Sequence, residues 1–178
     1  MCYSEEQIIE GCINNKRKAQ KTLYSYYYRR MLGICLRYCS SKDEAEDVML
    51  DGFMNIFSKT KSYNKRGSFE GWMKRVMINT AIDNFRKNKK HYYHSDIDDF
   101  ENELVIEANL LESFSAKEIL NTVQQLSEGY RIVFNLFAIE GYSHQEIADM
   151  LGISINTSKT QLFKARKLLQ KKLIEMNE

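Results

Sequence analysis

The sequence predicts an all-α protein: two small helical domains joined by a flexible acidic linker, with a helix-turn-helix in the C-terminal domain. Three observations support this. The 178 residues contain no Pro and only 8 Gly, so helix breakers are rare. Apolar residues recur at spacings of three and four, the period of an amphipathic helix. Residues 95–112 contain seven acids and no base, a composition typical of a linker. We therefore expect domains at 1–93 and 113–178, with the linker at 94–112.

The first half of the chain carries patterns for four helices. Ser4 and Gln7 have capping-box spacing, so a first helix is expected to begin at about residue 5. The apolar stripe of a long second helix is Leu23, Tyr26, Tyr27, Met31, Ile34, Cys35 and Tyr38. A third helix is expected over 43–57, with an acidic first turn that suits the helix dipole. Its buried residues are expected to be Ala45, Val48, Met49, Phe53 and Ile56. A polar loop at 63–68 precedes a fourth helix, expected over 69–89.

The second half carries helix-start signals and a tight turn. Capping boxes begin at Ser115 and Ser143, and a further helix is expected from Ser127 to about residue 139. Gly152 is expected to supply a turn with positive φ, and Ser154 to cap the helix after it. The buried stripe of that last helix is expected to be Leu162, Ala165 and Leu169. This order of elements predicts a helix-turn-helix; an αα-hairpin with a solvated face is the alternative.

The net charge of +2 conceals two basic segments. Residues 59–94 contain ten Lys or Arg against two acids, and residues 153–174 contain six bases and no acid. Two such segments separated by an acidic one favour two polyanion-binding surfaces. The alternative is a set of ordinary solvated helix faces.

One side of the expected 69–89 helix has the composition of a nucleic-acid track. Successive residues are about 100° apart, which places six mixed polar and aromatic residues opposite the core face. They are Trp72, Arg75, Asn79, Asp83, Arg86 and Lys90. Cations hold phosphates, flat side chains stack on bases, and an amide can bond a base edge. A solvated face with a partly buried Trp72 is the alternative. The loop at 64–68 lies just before this helix and could wrap a nucleotide.

Metal, redox and membrane functions have little support. Cys35 and Cys39 are one turn apart but have no nearby His or second Cys pair, so we expect free thiols rather than a metal site. No apolar run is long enough to cross a membrane, and the N-terminus lacks a secretory signal pattern. A cytoplasmic protein with no cofactor, no metal and no membrane contact of its own is expected.

Three segments, in order, resemble the extracytoplasmic-function (ECF) sigma factors, the small two-domain class of bacterial transcription initiation factors. The family's core-polymerase-binding helix is matched by DEAEDVMLDGFMNIF at 43–57. Its promoter-melting helix is matched by SFEGWMKRVMINTAIDNFRK at 68–87, with the Trp and the Asn-Thr-Ala in their places. Its C-terminal domain is matched by LSEGYRIVFNLFAIEGYSHQEIADMLGISINTSKTQLFKARKLL at 126–169. The resemblance covers nearly the whole chain.

The resemblance implies that the protein catalyses nothing itself and has three binding surfaces. Contact with core RNA polymerase is expected from Asp43, Glu44, Asp47, Leu50, Asp51 and Phe53. The resemblance also implies that the melted minus-10 strand of promoter DNA flips one base into the 64–68 loop. Contacts with this strand are expected from Asn64, Lys65, Arg66, Ser68, Trp72, Lys74, Arg75, Asn79, Asp83, Arg86 and Lys87. The minus-35 duplex is expected at Ser154, Asn156, Thr157, Lys159, Thr160, Gln161, Lys164 and Arg166. An anti-sigma factor is expected as a further partner.

The chain departs from the family pattern at a few positions. Ser127 replaces a Pro and is still expected to cap the helix that it begins. Leu50 and Asp51 replace a Gln and a Glu in the core-binding helix. In the recognition helix Ser158 replaces a buried Val, and Gln161 replaces an Arg whose loss should change a DNA contact. The promoter sequence therefore cannot be transferred from the family.

Two other classes of protein remain as alternatives. A helix-turn-helix regulator that acts without polymerase would not need the acidic amphipathic helix at 43–57. A nucleic-acid enzyme would need clustered metal ligands, and Glu46, Asp47 and Asp51 could serve only if they converged.

Overall fold

A computed structural model describes residues 4–88 and 116–177, and within these ranges every regular element is a helix and no residue is in a strand. The all-α prediction is therefore confirmed. The chain divides into two compact units, Met1–Phe85 and Arg86–Glu178. The expected limits 1–93, 94–112 and 113–178 stay predictions, because the linker, the cap at Ser115 and Lys90 lie outside the described residues.

Within the described residues, the first unit contains four α-helices and one short 3₁₀ turn, and the last helix extends three residues beyond the boundary at Phe85. They are α1 (Glu5–Ile13), α2 (Arg17–Tyr38), α3 (Lys42–Lys59), the 3₁₀ turn (Thr60–Ser62) and α4 (Phe69–Asn88). The capping box at Ser4 is formed as predicted, with the Gln7 backbone N–H donating to the Ser4 hydroxyl and the Gln7 side chain accepting in return. The Ser41 hydroxyl caps α3 by accepting from the Glu44 N–H at 3.1 Å.

The core of the first unit forms where apolar stripes of α2, α3 and α4 meet. The five residues expected to be buried on α3 are all buried, and so are Phe69, Met73, Met77 and Phe85 of α4. Tyr26 is a correction: it was expected in the α2 stripe but is 66% exposed, whereas Tyr27 beside it is 6% exposed. Adjacent helical residues point about 100° apart, and the packed face of α2 includes Tyr27 but not Tyr26.

Helices α3 and α4 are joined by close packing and by two polar side-chain contacts. A Cβ at Gly52 would overlap the Met77 sulfur, so the absence of a side chain at Gly52 lets Met77 approach α3 closely. The Asn55 amide donates to the Thr80 hydroxyl at 3.0 Å. In the first turn of α3, Glu44 accepts from the Asn84 amide at 2.9 Å and also from Ser40. These contacts fix α4 against α3.

The second unit contains α5 (Ala116–Gln124), α6 (Glu128–Phe134), a π-helical segment (Asn135–Ile139), α7 (His144–Leu151) and α8 (Ile155–Asn177). Its core includes Val123, Leu126, Ala165 and Leu169. The π-helical segment, with the Glu140 N–H bonded to the Asn135 carbonyl, was not expected. Ser127 occupies the N-cap position of α6, but its side chain makes no capping hydrogen bond, so the expected side-chain cap is wrong.

Three cysteines in the first unit are buried free thiols: Cys12, Cys35 and Cys39. Burial raises the pKa of the Cys12 thiol to about 11 and that of Cys35 to about 12. Among the described residues, no group of His, Cys, Asp and Glu could hold a metal ion. No described helix combines the length and the apolar character needed to span a membrane.

Candidate nucleic-acid interface

The loop at residues 64–68 has a defined shape. The Arg66 backbone N–H donates to the Asn64 side-chain oxygen at 3.1 Å, and the Ser68 hydroxyl caps α4 by accepting from the Gly71 N–H at 3.1 Å. Lys65 and Gly67 have φ of 60° and 87°, so the chain turns sharply twice. Asn64, Lys65, Arg66 and Ser68 are all exposed. The loop therefore presents two cations and an amide on a short, bent backbone.

Three aromatic rings pack against one another beside this loop. Phe69 is 1% exposed, and Trp72 stacks on it with ring centroids 5.4 Å apart and planes 19° apart. Tyr63 packs against both rings, with centroids 5.0 Å from Phe69 and 5.7 Å from Trp72. Trp72 is half-buried. One face of Trp72 is therefore covered by Phe69, which limits the ring surface that remains for stacking on a base.

The exposed side of α4 extends away from the loop. Arg75, Asn79, Asp83 and Arg86 are all exposed and lie on one side of the helix with Trp72. Lys87, also exposed, lies beside them. Lys74 does not belong to this stripe. It is half-buried and lies about 200° around the helix from Trp72, next to the core residues. The structure thus groups the predicted single-strand contacts except Lys74, and Lys90 lies outside the described residues.

A separate stripe on α3 combines acidic and apolar residues. Asp43, Asp47, Leu50 and Asp51 are exposed within an arc of about 100°. Met54, 68% exposed, lies in the same arc and was missed by sequence reasoning; its spacing of four from Leu50 was the available signal. Phe53 is a correction: it is 2% exposed and packs against Tyr24 and Phe57, so it offers no surface to a partner. Glu44 is half-buried and bonded to Ser40 and Asn84.

The turn between α7 and α8 has the geometry that the sequence predicts. The Ser143 capping box is formed, and hydrogen bonds from Ser143 lower the pKa of the Glu146 carboxyl. Gly152 ends α7 in the left-handed region at φ 66° and ψ 39°. The Ser154 hydroxyl then accepts from the Thr157 N–H at 2.9 Å and starts α8. Two helices joined by so short a turn form a helix-turn-helix.

The N-terminal half of α8 presents most of the predicted duplex contacts. Ser154, Asn156 and Lys159 are exposed, and Thr157, Thr160 and Lys164 are half-buried beside them. Gln161 is a correction to the expectation that it points outward. Its Oε1 is buried without a hydrogen-bond partner in the described structure, and its amide lies next to Gly129. The Arg166 guanidinium lies over the Phe137 ring, 5.6 Å from its centroid.

A polar contact holds the start of α7 to the start of α8. His144 Nδ1 lies 2.9 Å from the Ser158 hydroxyl oxygen, and Ser158 is fully buried. The His144 ring stacks on Phe137 with centroids 4.5 Å apart. Burial, followed by the charges of Lys159 and Arg166, lowers the pKa of His144. Sequence reasoning found Ser158 only as a departure from a buried valine, and it missed its partner.

Comparisons with known proteins match both units. A family profile described as Sigma-70 region 2 matches residues 23–91, and one described as Sigma-70, region 4 matches residues 116–169. Together they span well over half of the chain. The ECF RNA polymerase sigma-E factor of Haemophilus influenzae is 24% identical over 96% of this chain and 95% of its own length. The ECF RNA polymerase sigma factor SigW of Bacillus subtilis is 27% identical over 96% of this chain and its own full length.

The chain belongs to the ECF sigma factors of the sigma-70 family. It is thus an RNA polymerase sigma factor, which directs transcription initiation at promoters. A solved structure of the sigma factor RpoE, in complex with the anti-sigma factor NepR from Bartonella quintana, is 19% identical and has a TM-score of 0.51. It covers 89% of this sigma factor and 98% of the RpoE chain, and it supports the fold alone.

Proposed function

We propose that this sigma factor divides its work among three surfaces of the described helices. The exposed stripe of α3 binds core RNA polymerase. The 64–68 loop and the exposed stripe of α4 capture the melted minus-10 strand. The N-terminal half of α8 contacts the minus-35 duplex in the major groove. The protein catalyses no reaction itself and works in the cytoplasm.

The observation that carries this proposal is the separation of charge within the first unit. The α3 stripe exposes Asp43, Asp47 and Asp51 around Leu50 and Met54, whereas the exposed side of α4 and its loop carry mainly cations. Acidic side chains around an apolar centre suit a protein partner, because buried apolar area supplies affinity and charges supply orientation. The cationic, amide-bearing stripe suits a nucleic acid. A regulator that acts without polymerase has no use for the first surface.

The proposed capture of the minus-10 strand includes one flipped base. Extruding a base from the stack costs a few kcal/mol, which new contacts must offset. Lys65, Arg66 and Ser68 lie on the loop in exposed positions where they can reach phosphates or a base edge. Asn79, exposed on α4, has the donor and acceptor pair needed to distinguish bases.

We also propose an anti-sigma factor as a partner. RpoE, whose fold is similar, is in complex with the anti-sigma factor NepR. Leu50 and Met54 are 50% and 68% exposed, and an inhibitor that covered them would compete with polymerase. Native pulldowns from the source cell test this. Recovery of only free or polymerase-bound sigma factor would contradict the proposal.

The test of the main proposal is binding to bacterial core RNA polymerase, measured for the wild type and for Asp47→Arg. Asp47 is exposed at the centre of the acidic stripe, so charge reversal should weaken binding by roughly tenfold or more. Glu10→Arg is the matched control, since Glu10 is exposed on α1 of the same unit. Equal loss in both variants would mean that binding follows net charge. No binding by the folded wild type would favour a regulator that acts on DNA alone.

A further inference from the structure

Neither the sequence pattern nor the family resemblance gives Tyr63 a role, yet it closes the 64–68 loop. Its hydroxyl donates to the Gly67 carbonyl oxygen at 2.8 Å. This bond closes the loop, because it joins Tyr63, just before the loop, to Gly67, near its end. Inside the closed segment, Lys65 and Gly67 have positive φ, a conformation that a free chain populates rarely at a lysine. The hydrogen bond therefore selects one loop shape from several.

The position of the Tyr63 hydroxyl is set by the core rather than by the loop. The Tyr63 ring meets Phe69 in a T-shaped contact, and Phe69 is 1% exposed. The ring also packs at 46° against Trp72, which itself stacks on Phe69. Because Phe69 and Trp72 both contact the Tyr63 ring, the position of the Tyr63 hydroxyl is fixed relative to α4. The loop backbone is tied to that point.

We propose that Tyr63 is a positioning residue for base selection: its hydroxyl holds residues 64–67 in the shape that receives the flipped minus-10 base. This inference rests on the proposed function of the loop. A loop that already has its bound shape loses less conformational entropy when a base enters. It also distinguishes bases better, because a wrong base cannot be accommodated by a rearranged backbone. Without the hydroxyl the loop would adapt to several bases.

The variant Tyr63→Phe isolates this role, because it keeps the ring and its contacts and removes one hydrogen bond. The sigma factor in complex with core polymerase is titrated with minus-10 single strands that carry each of the four bases at the flipped position. We expect discrimination between the best and the worst base to fall about fivefold, the factor equivalent to one net hydrogen bond. We expect core polymerase binding to stay at the wild-type value and the first unit to keep its fold, with a cooperative melting transition.

Trp72 supplies a second readout that needs no DNA. It is the only tryptophan of the chain, so the intrinsic tryptophan emission comes from this site. Its ring centroid lies 5.7 Å from that of Tyr63. If the loop opens when the hydroxyl is removed, acrylamide should quench Trp72 more efficiently in Tyr63→Phe than in the wild type. Tyr130→Phe, a tyrosine that packs in the core of the second unit, is the control and should leave the quenching unchanged.

Gly67→Ala tests the same loop shape without changing the tyrosine. Gly67 has φ 87°, where alanine is strained, and a Cβ would meet no atom within 4 Å. It should lose base discrimination as Tyr63→Phe does. Wild-type discrimination in Tyr63→Phe, or wild-type quenching of Trp72, would overturn the inference. If instead the wild type itself binds polymerase but shows no base preference in the loop, the proposed function of the loop has failed.

Discussion

His144 Nδ1 on the first turn of α7 and the buried Ser158 hydroxyl on the first turn of α8 lie 2.9 Å apart. The contact continues outward from His144, which stacks on Phe137, and the guanidinium of Arg166 lies over the same Phe137 ring. Four side chains thus connect the first turn of α8, through α7 and the π-helical segment, to a later turn of α8. This series fixes the rotation of α8 about its own axis, and with it the direction of the side chains that are proposed to contact DNA.

The first prediction concerns pH. The folded pKa of His144 is lowered by burial and by Lys159 and Arg166, so the folded protein binds this proton less readily than the unfolded chain. The stabilisation is therefore present above the unfolded pKa and is lost as pH falls through the folded pKa. Melting of the second unit between pH 8 and pH 5 should show a smaller decrease in His144→Gln than in the wild type. Parallel curves would show that His144 contributes nothing to the pH dependence.

The second prediction concerns the turn of the helix-turn-helix. Gly152 has φ 66°, and alanine there should destabilise the second unit by about 1–2 kcal/mol because of the left-handed backbone. Gly33→Ala is the matched control: a Cβ at either glycine meets no atom within 4 Å, but Gly33 lies inside α2. Gly33→Ala should stabilise the first unit by roughly 0.5–1 kcal/mol. Urea unfolding measures both, and equal signs would contradict the backbone argument.

The third prediction separates base recognition from phosphate contact. Asn79→Ala should reduce discrimination between bases at one position of the melted strand by about 1–3 kcal/mol, because the hydrogen-bond donor and acceptor of the side-chain amide are lost. Lys65→Ala should instead weaken all sequences alike. Both are measured with base-substituted single strands on the polymerase complex. Unchanged preference in Asn79→Ala would remove this residue from the recognition surface.

The fourth prediction concerns salt. Arg86 is exposed on the α4 stripe. Arg86→Ala should make the negative slope of log affinity against log salt shallower by about 0.7 for a single strand, because one phosphate contact is lost. Lys171→Ala, which removes one exposed cation from the second unit, should leave the slope for the minus-10 strand unchanged. Titration at several salt concentrations distinguishes the two. The same decrease in both variants would indicate a general effect of net charge.

Local patterns predicted the helices well because their signals are short-range. The capping boxes at Ser4 and Ser143 and the turn at Gly152 formed where the sequence places them. The buried residues of α3 were predicted from helical periodicity alone. Tyr26 was mispredicted because it and Tyr27 both continue an apolar run, and only contacts between helices decide which of them is buried.

Other features depended on contacts that no local pattern contains. Gln161 turns inward beside Gly129, a residue of another helix whose missing side chain leaves room. The His144 partner of Ser158 is fourteen positions away in sequence. Phe53 was predicted both as core and as a contact, and packing against Tyr24 leaves only the first. The grouping of the proposed site residues on exposed stripes was predictable, because helical geometry alone places them on one side of a helix.

Two polar contacts join α3 and α4, from Glu44 to Asn84 and from Asn55 to Thr80, and they affect the spacing between the polymerase and the DNA. In the proposed function one of these helices faces the enzyme and the other faces the opened strand. Because side chains join them at two levels, neither can slide against the other. In the proposed function, the distance between the polymerase contact on α3 and the captured strand on α4 is therefore constant.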